Sequence, residues 1–325
     1  MYRLFSRNTP VAYAALLLLL VGLRGRLVFD PARYAVADTP DLYPPLWSQL
    51  LGHVAPGGVL SVVLAIVVTF LCALIVNNIV NRFGFVGSYG ALGGLFFVVL
   101  SGGFRLGLGF QPVFVFALSL VWGLDRLFSA MGKKRPYASV AWGFAIVGLG
   151  SLFWSKGVCF LPFMLILLAL LRLGGGRCLA AALCGVLGAA MVGVCQAMLS
   201  PDPAEAARAF VRSGLATLPY WRMGTVSITY LAVCLGTTLV AILSAQRHMA
   251  ENSIAVSRRV RVAEWVFFFT LLLCLLPGFS LDIQILVAVG ASLLLPGFVC
   301  GIRDARLREA VPLALAAVTA WIIYA

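Results

Sequence analysis

"GGVLSVVLAIVVTFLCALIVNNIV" fills positions 57–80 without a single charged residue. At 1.5 Å per residue a helix of this length covers about 36 Å, more than the ~30 Å hydrocarbon core of a bilayer. In hydrocarbon every backbone N–H and C=O needs an internal partner, and a helix supplies one for each. Its side-chain amides, Asn77 and Asn78, gather near the far end. The stretch therefore predicts a membrane-spanning helix.

The same pattern recurs on both sides of it. Apolar runs cover 10–29, 57–80, 86–104, 110–128, 138–155, 157–172, 178–199, 224–245, 263–279, 283–301 and 310–325. The prediction is an all-α fold, a polytopic transmembrane helix bundle of about 11 spans, forming one integral membrane domain over 1–325. The fifth and sixth runs are close enough to form one broken hairpin. Composition agrees: 62% of residues are hydrophobic and 11% charged, where a soluble domain carries about 25% charged. The first run starts at Pro10, behind Arg3 and Arg7, and no small-x-small cleavage site follows it. It reads as a retained span rather than a secretory signal.

Charge sets the expected orientation. With the N-terminus in the cytoplasm, sixteen of the 24 lysines and arginines fall inside and eight outside. The dense clusters "KKR" (133–135), "RRVR" (258–261) and "RDARLR" (303–308) all fall inside. This positive-inside pattern accounts for most of the net charge of +13 without nucleic acid; anionic membrane lipids are a sufficient partner. A bacterial inner (cytoplasmic) membrane is the expected location. Two long connections then face outward, 24–56 and 200–223.

Motifs of soluble enzymes are absent: no P-loop, no GxGxxG after a strand, no HExxH, no GxSxG. The two histidines, His53 and His248, fall in separate loops, and none of the eight cysteines shows CxxC spacing. No metal site and no cofactor are expected. Asn77, Asn78 and Asn81 suit capping or interhelical hydrogen bonds. Asp125 beside Arg126 suits an interface ion pair. Mid-membrane carboxylates are not expected, which argues against a proton-coupled pump. Ala181, Gly185, Ala189 and Gly193 recur at every fourth position, along one helical face, where small side chains let another backbone approach.

The charges on the outer side carry the functional reading. Asp30, Asp38 and Asp41 follow the first run, and Arg24 and Arg26 lie at its outer end. Arg105 closes the third run, and Lys156 sits between the fifth and sixth with almost no loop around it. Cations near hydrocarbon snorkel to headgroups or find a partner. Taken together, Arg24, Arg26, Arg105 and Lys156 suit the phosphate of a lipid-linked donor. Asp41, and after it Asp38, suits a general base on an acceptor hydroxyl; Asp30, before Pro31, suits a turn. "DLYPPLWSQLLGHV" (41–54) predicts an interfacial helix, with the proline pair at its start and Tyr43 and Trp47 at headgroup level.

"RNTPVAYAALLLLL" (7–20), "NNIVNRFGFVG" (77–87) and "VAWGFAIVGLGSLFWSKGVCFLPFMLILLALLRL" (140–173) resemble an uncharacterised family of polytopic bacterial inner-membrane proteins. The resemblance covers residues 1–175. Ser155 and Lys156 stand where that family tends to place a proline. The layout is similar to the C superfamily of membrane glycosyltransferases: many spans, and a first outer loop with carboxylates and an interfacial helix. The resemblance implies transfer of a sugar from a polyprenyl-phosphate carrier on the outer face. It assigns no residue, so Asp41 and Asp38 rest on the physical argument alone. Two other classes stand beside it. A non-catalytic membrane subunit of an envelope-assembly or secretion complex would meet a membrane-protein partner through the Ala181–Gly193 face. A transporter would show inverted repeats, and the sequence carries no internal repeat.

Overall fold

The computed structural model describes residues 1–25, 44–52, 54, 58–86, 90–103, 109–216, 225–247, 253–276 and 283–324. Every regular element among them is a helix. In chain order they are α1 (Tyr2–Phe5), α2 (Pro10–Arg24), α3 (Pro45–Leu51), α4 (Val59–Arg82), α5 (Leu92–Gly102), α6 (Pro112–Ala130) and α7 (Tyr137–Phe153). A 3₁₀ helix (Ser155–Cys159) follows. Then come α8 (Phe160–Leu170), α9 (Gly176–Met198), α10 (Pro203–Leu215), α11 (Thr225–Arg247), α12 (Ile254–Leu275), α13 (Gln284–Gly301) and α14 (Ala305–Tyr324).

Each of the eleven apolar runs contains a helix. Among the described residues, five helices are long and apolar enough to cross a membrane: α4, α6, α9, α11 from Thr229, and α13. The others are shorter or begin with charged turns. In the third run the described helix is shorter than the run. Its helix, α5, has 11 residues, about 16 Å at 1.5 Å per residue, and is buried along its whole length. A helix apolar on every side is a core element.

The chain divides into two compact units. Unit 1 holds α1, α2, α4, α5 and α11–α14, with α5 lying against α2, α4, α13 and α14. Local chemistry fixes its ends. Thr9 caps α2 by accepting from Ala12 N–H, and Pro10 takes the first helical position, where its missing donor is not needed. Asn81 donates to Gly90 O (2.7 Å) and accepts from Gly90 N (3.1 Å), closing the connection between α4 and α5. Asn77 donates to the Tyr13 hydroxyl, which donates to Asn8 Oδ1, each at 2.8 Å. Asn77 is therefore an interhelical tie, and Asn81 ties α4 to the segment just before α5.

Unit 2 holds α3 and α6–α10 with the 3₁₀ helix. Its spine is α7, packed on α6 and α9. The small-residue stripe of α9 lies against α7: Gly185 meets the backbone of Ala141 and Ala145, and Ala189 meets Gly148. Gly185 and Ala189 of the small-residue face are thus used inside the chain. Leu183, Leu187 and Met191, four apart on α9, are more than half exposed.

Candidate functional site

The largest described cavity lies in unit 2 and encloses about 470 Å³, within the usual range for a small-molecule site. Small residues make the space: Gly148 on α7 and Ala189, Ala190 and Gly193 on α9. Phe210 and Val211 of α10 and Val158 of the 3₁₀ helix complete the wall. Ser151 and Gln196 are the polar side chains in the lining, and no charged residue lines it. Val158, Val194 and Val211 are well exposed, so the cavity communicates with the surroundings of unit 2.

Two short helices flank it. The sequence treats 200–223 as a loop, but much of it is α10. Asp202 caps that helix by accepting from Ala204 N–H (3.0 Å) and Glu205 N–H (3.2 Å), with Pro203 at the first position. The helix is two-sided. Ala206, Ala207, Phe210 and Val211 line the cavity, while Arg212 and Arg208 reach Glu205 at 3.0 and 3.9 Å. The buried Ser213 hydroxyl meets Ser155 Oγ at 2.9 Å, pinning α10 to the 3₁₀ helix. The other flank is α3, the predicted interfacial helix. It begins at Pro45 behind Pro44, buries Trp47, and contributes Pro45 to the cavity wall.

Lys156 sits in this 3₁₀ helix and is 6% exposed. Gly157 beside it allows the close approach of the Phe116 ring. That ring lies 5.1 Å from Trp154 and 5.0 Å from Phe160, centroid to centroid. The lysine is therefore held in a packed segment rather than snorkelling in an open loop. Val158, two residues on, reaches the cavity wall.

The other sequence candidates divide as follows. Asp41, Asp38, Arg26 and Arg105 lie outside the described residues. Arg24 is described and closes α2. Its side chain is fully buried.

Sequence reasoning also passed over Glu264. It falls near the start of the ninth run, but α12 begins at Ile254, which puts this residue at mid-helix. It is 7% exposed, with Gln246 of α11 and Arg261 acting on its carboxyl group. Its Oε1 has no hydrogen-bond partner among the described residues. A carboxyl group inside an otherwise apolar stretch was the available signal. Among the described residues no group of three histidines, cysteines or carboxylates could hold a metal.

Comparison with protein-family models, curated proteins and solved structures finds no match to this chain.

Proposed function

We propose that this chain is an integral membrane protein that takes the apolar chain of a lipid-linked donor into unit 2. We further propose that it transfers the donor's sugar headgroup on the outer face. The supporting observation is the 470 Å³ apolar cavity, whose wall includes the helix that carries Lys156. In this reading the carrier's tail lies among Ala190, Gly193 and Phe210, and its phosphate meets Lys156. The oxygen of an acceptor hydroxyl attacks the anomeric carbon, Asp41 or Asp38 takes the hydroxyl proton, and the bond from that carbon to the phosphate oxygen breaks. The carrier phosphate leaves with the bonding pair and is stabilised by the cation. The N-terminus and the basic clusters lie on the inner side, in a bacterial inner membrane.

The test uses a photoactivatable polyprenyl-phosphate sugar in membranes containing the full chain. Labelling is expected in the 186–197 and 206–211 segments, and Ala190→Trp, which fills the cavity, should abolish it. Transfer of radiolabelled sugar should be lost in Asp41→Asn while labelling persists. Labelling that is indifferent to Ala190→Trp would remove the cavity from the reading. Transfer unaffected by Asp41→Asn and Asp38→Asn would remove the chemistry.

A further inference from the structure

A second cavity, of about 360 Å³, opens at the other end of α9. Its lining includes Tyr137 at the start of α7, Arg172 just after α8, and Gly175, Gly176 and Arg177 where α9 begins. Two of these residues are arginines and none is a carboxylate. The loop before α7 adds Lys133, Lys134 and Arg135, and Lys133 Nζ donates to Ser139 Oγ at 2.8 Å. Between Asp125 and Asp202 the chain contains no acidic residue. Among the described residues neither arginine takes part in an ion pair. This end of unit 2 therefore carries concentrated positive charge around a concave surface.

Arg172 occupies a backbone position that favours glycine. After α8 the chain makes a closing turn: Leu173 N–H donates to Leu168 O at 3.0 Å and Arg172 N–H to Ala169 O at 2.9 Å. That geometry puts Arg172 in the left-handed region, at φ 56°, where glycine is the usual residue because it has no Cβ to clash. Glycines follow at 174–176, yet this position carries a guanidinium, and it lines the cavity.

We propose that this basic cavity binds a phosphate group, supplied by an anionic membrane lipid or by free phosphate. Guanidinium groups match phosphate oxygens in charge and in bidentate geometry. The first turn of a 23-residue helix, α9, adds backbone N–H groups on the same side. Both arginines are exposed, so binding is expected to weaken steeply with salt. The site is independent of the apolar cavity.

Phosphatidylglycerol retention in nanodiscs, read by native mass spectrometry, and inorganic phosphate binding in detergent, read by calorimetry, form the two arms. Arg172→Gly should weaken binding by about fivefold or more, roughly 1 kcal/mol, without lowering the melting temperature, because glycine suits the backbone there. Arg177→Ala should weaken it comparably and serves as the second variant. Arg208→Ala removes the same charge from α10, away from this lining and its basic loop, and should change binding less than about twofold. A loss confined to the lipid arm assigns the phosphate to a headgroup; a loss confined to the inorganic arm assigns it to the free anion. The proposal is overturned if both arginine variants bind both probes as the parent does. It also fails if Arg208→Ala costs as much as they do, since binding would then be diffuse surface attraction.

Discussion

Gly185→Ala adds one methyl group where α9 and α7 touch, and the surroundings fix its cost. A Cβ at this position would overlap the carbonyl oxygen of Ala141 and lie 3.0 Å from Ala145 N and 3.1 Å from Ala141 C. All three atoms are backbone, so no rotamer change relieves the overlap and the helices must separate. Overpacking of this kind typically costs about 1–3 kcal/mol. Contact with backbone alone puts Gly185 near ~3, and the better helix propensity of alanine returns about 1 kcal/mol, leaving a net loss of roughly 2 kcal/mol. The same helix supplies its own control. An added Cβ at Gly188 meets nothing within 4 Å, so Gly188→Ala should be neutral or stabilising by up to about 1 kcal/mol. Gly193→Ala should fall between, because its Cβ meets only the tip of Leu152, 3.0 Å away. Thermal melts of purified protein in one detergent should rank the three variants 188, 193, 185 from most to least stable. If Gly185→Ala melts at or above the parent temperature, α7 and α9 are not in backbone contact. The packing that shapes the apolar cavity would then be wrong as well.

Two further outcomes test unit 1. The Tyr230 hydroxyl lies 3.0 Å from Val99 O, 3.2 Å from Leu100 O and 3.2 Å from Thr319 Oγ1 in a fully buried position. Tyr230→Phe should therefore cost about 1–3 kcal/mol, and an unchanged melting temperature would refute this network. The amino group of Met1, then the backbone N–H groups of Arg3 and Tyr2, hold the Glu309 carboxyl below its ordinary value near 4.5. The stabilisation from a lowered carboxyl is present above the unfolded value and is lost as pH falls through the folded one. Melting temperature should thus drop on acidification below about pH 4.5 and drop less in Glu309→Gln; equal pH profiles would refute the assignment.

Hydrophobic periodicity made the helices legible, and it did so because the signal is redundant along each one. Twenty-four uncharged residues at 57–80 predict α4 whatever its neighbours do. Capping chemistry is equally local, so Pro45 behind Pro44 marks the start of α3. Tertiary placement is not local. The run at 86–104 is as apolar as a crossing, but its helix is 11 residues long and buried among four others. Arg24 is the same lesson in a single side chain: sequence position gives the end of α2, while packing decides that the side chain is buried. The apolar cavity was invisible for a different reason. It is made by missing volume at Gly148, Ala189, Ala190 and Gly193; Ala189 and Gly193 also read as part of a helix-packing stripe, and only part of that stripe is filled by α7.

The geometry of α9 separates the two proposed ligand regions. Its first residues, Gly176 and Arg177, line the basic cavity, and residues from Val186 to Ala197 line the apolar one. From Gly176 to Gln196 a straight helix rises about 30 Å, close to the thickness of the hydrocarbon core. In the proposed reading a phosphate at Arg172 and a carrier phosphate at Lys156 belong to opposite membrane surfaces, and one lipid cannot satisfy both. The span between them is the segment where Gly185 holds α9 against α7, a contact of backbone on backbone that leaves little room for sliding. Arg172→Gly should accordingly leave photolabelling of the 186–197 segment intact, and Ala190→Trp should leave phosphate binding intact. Loss of both functions from either change would mean that the helix moves as a lever between the two regions, contrary to the rigid seating argued from Ala141 and Gly185.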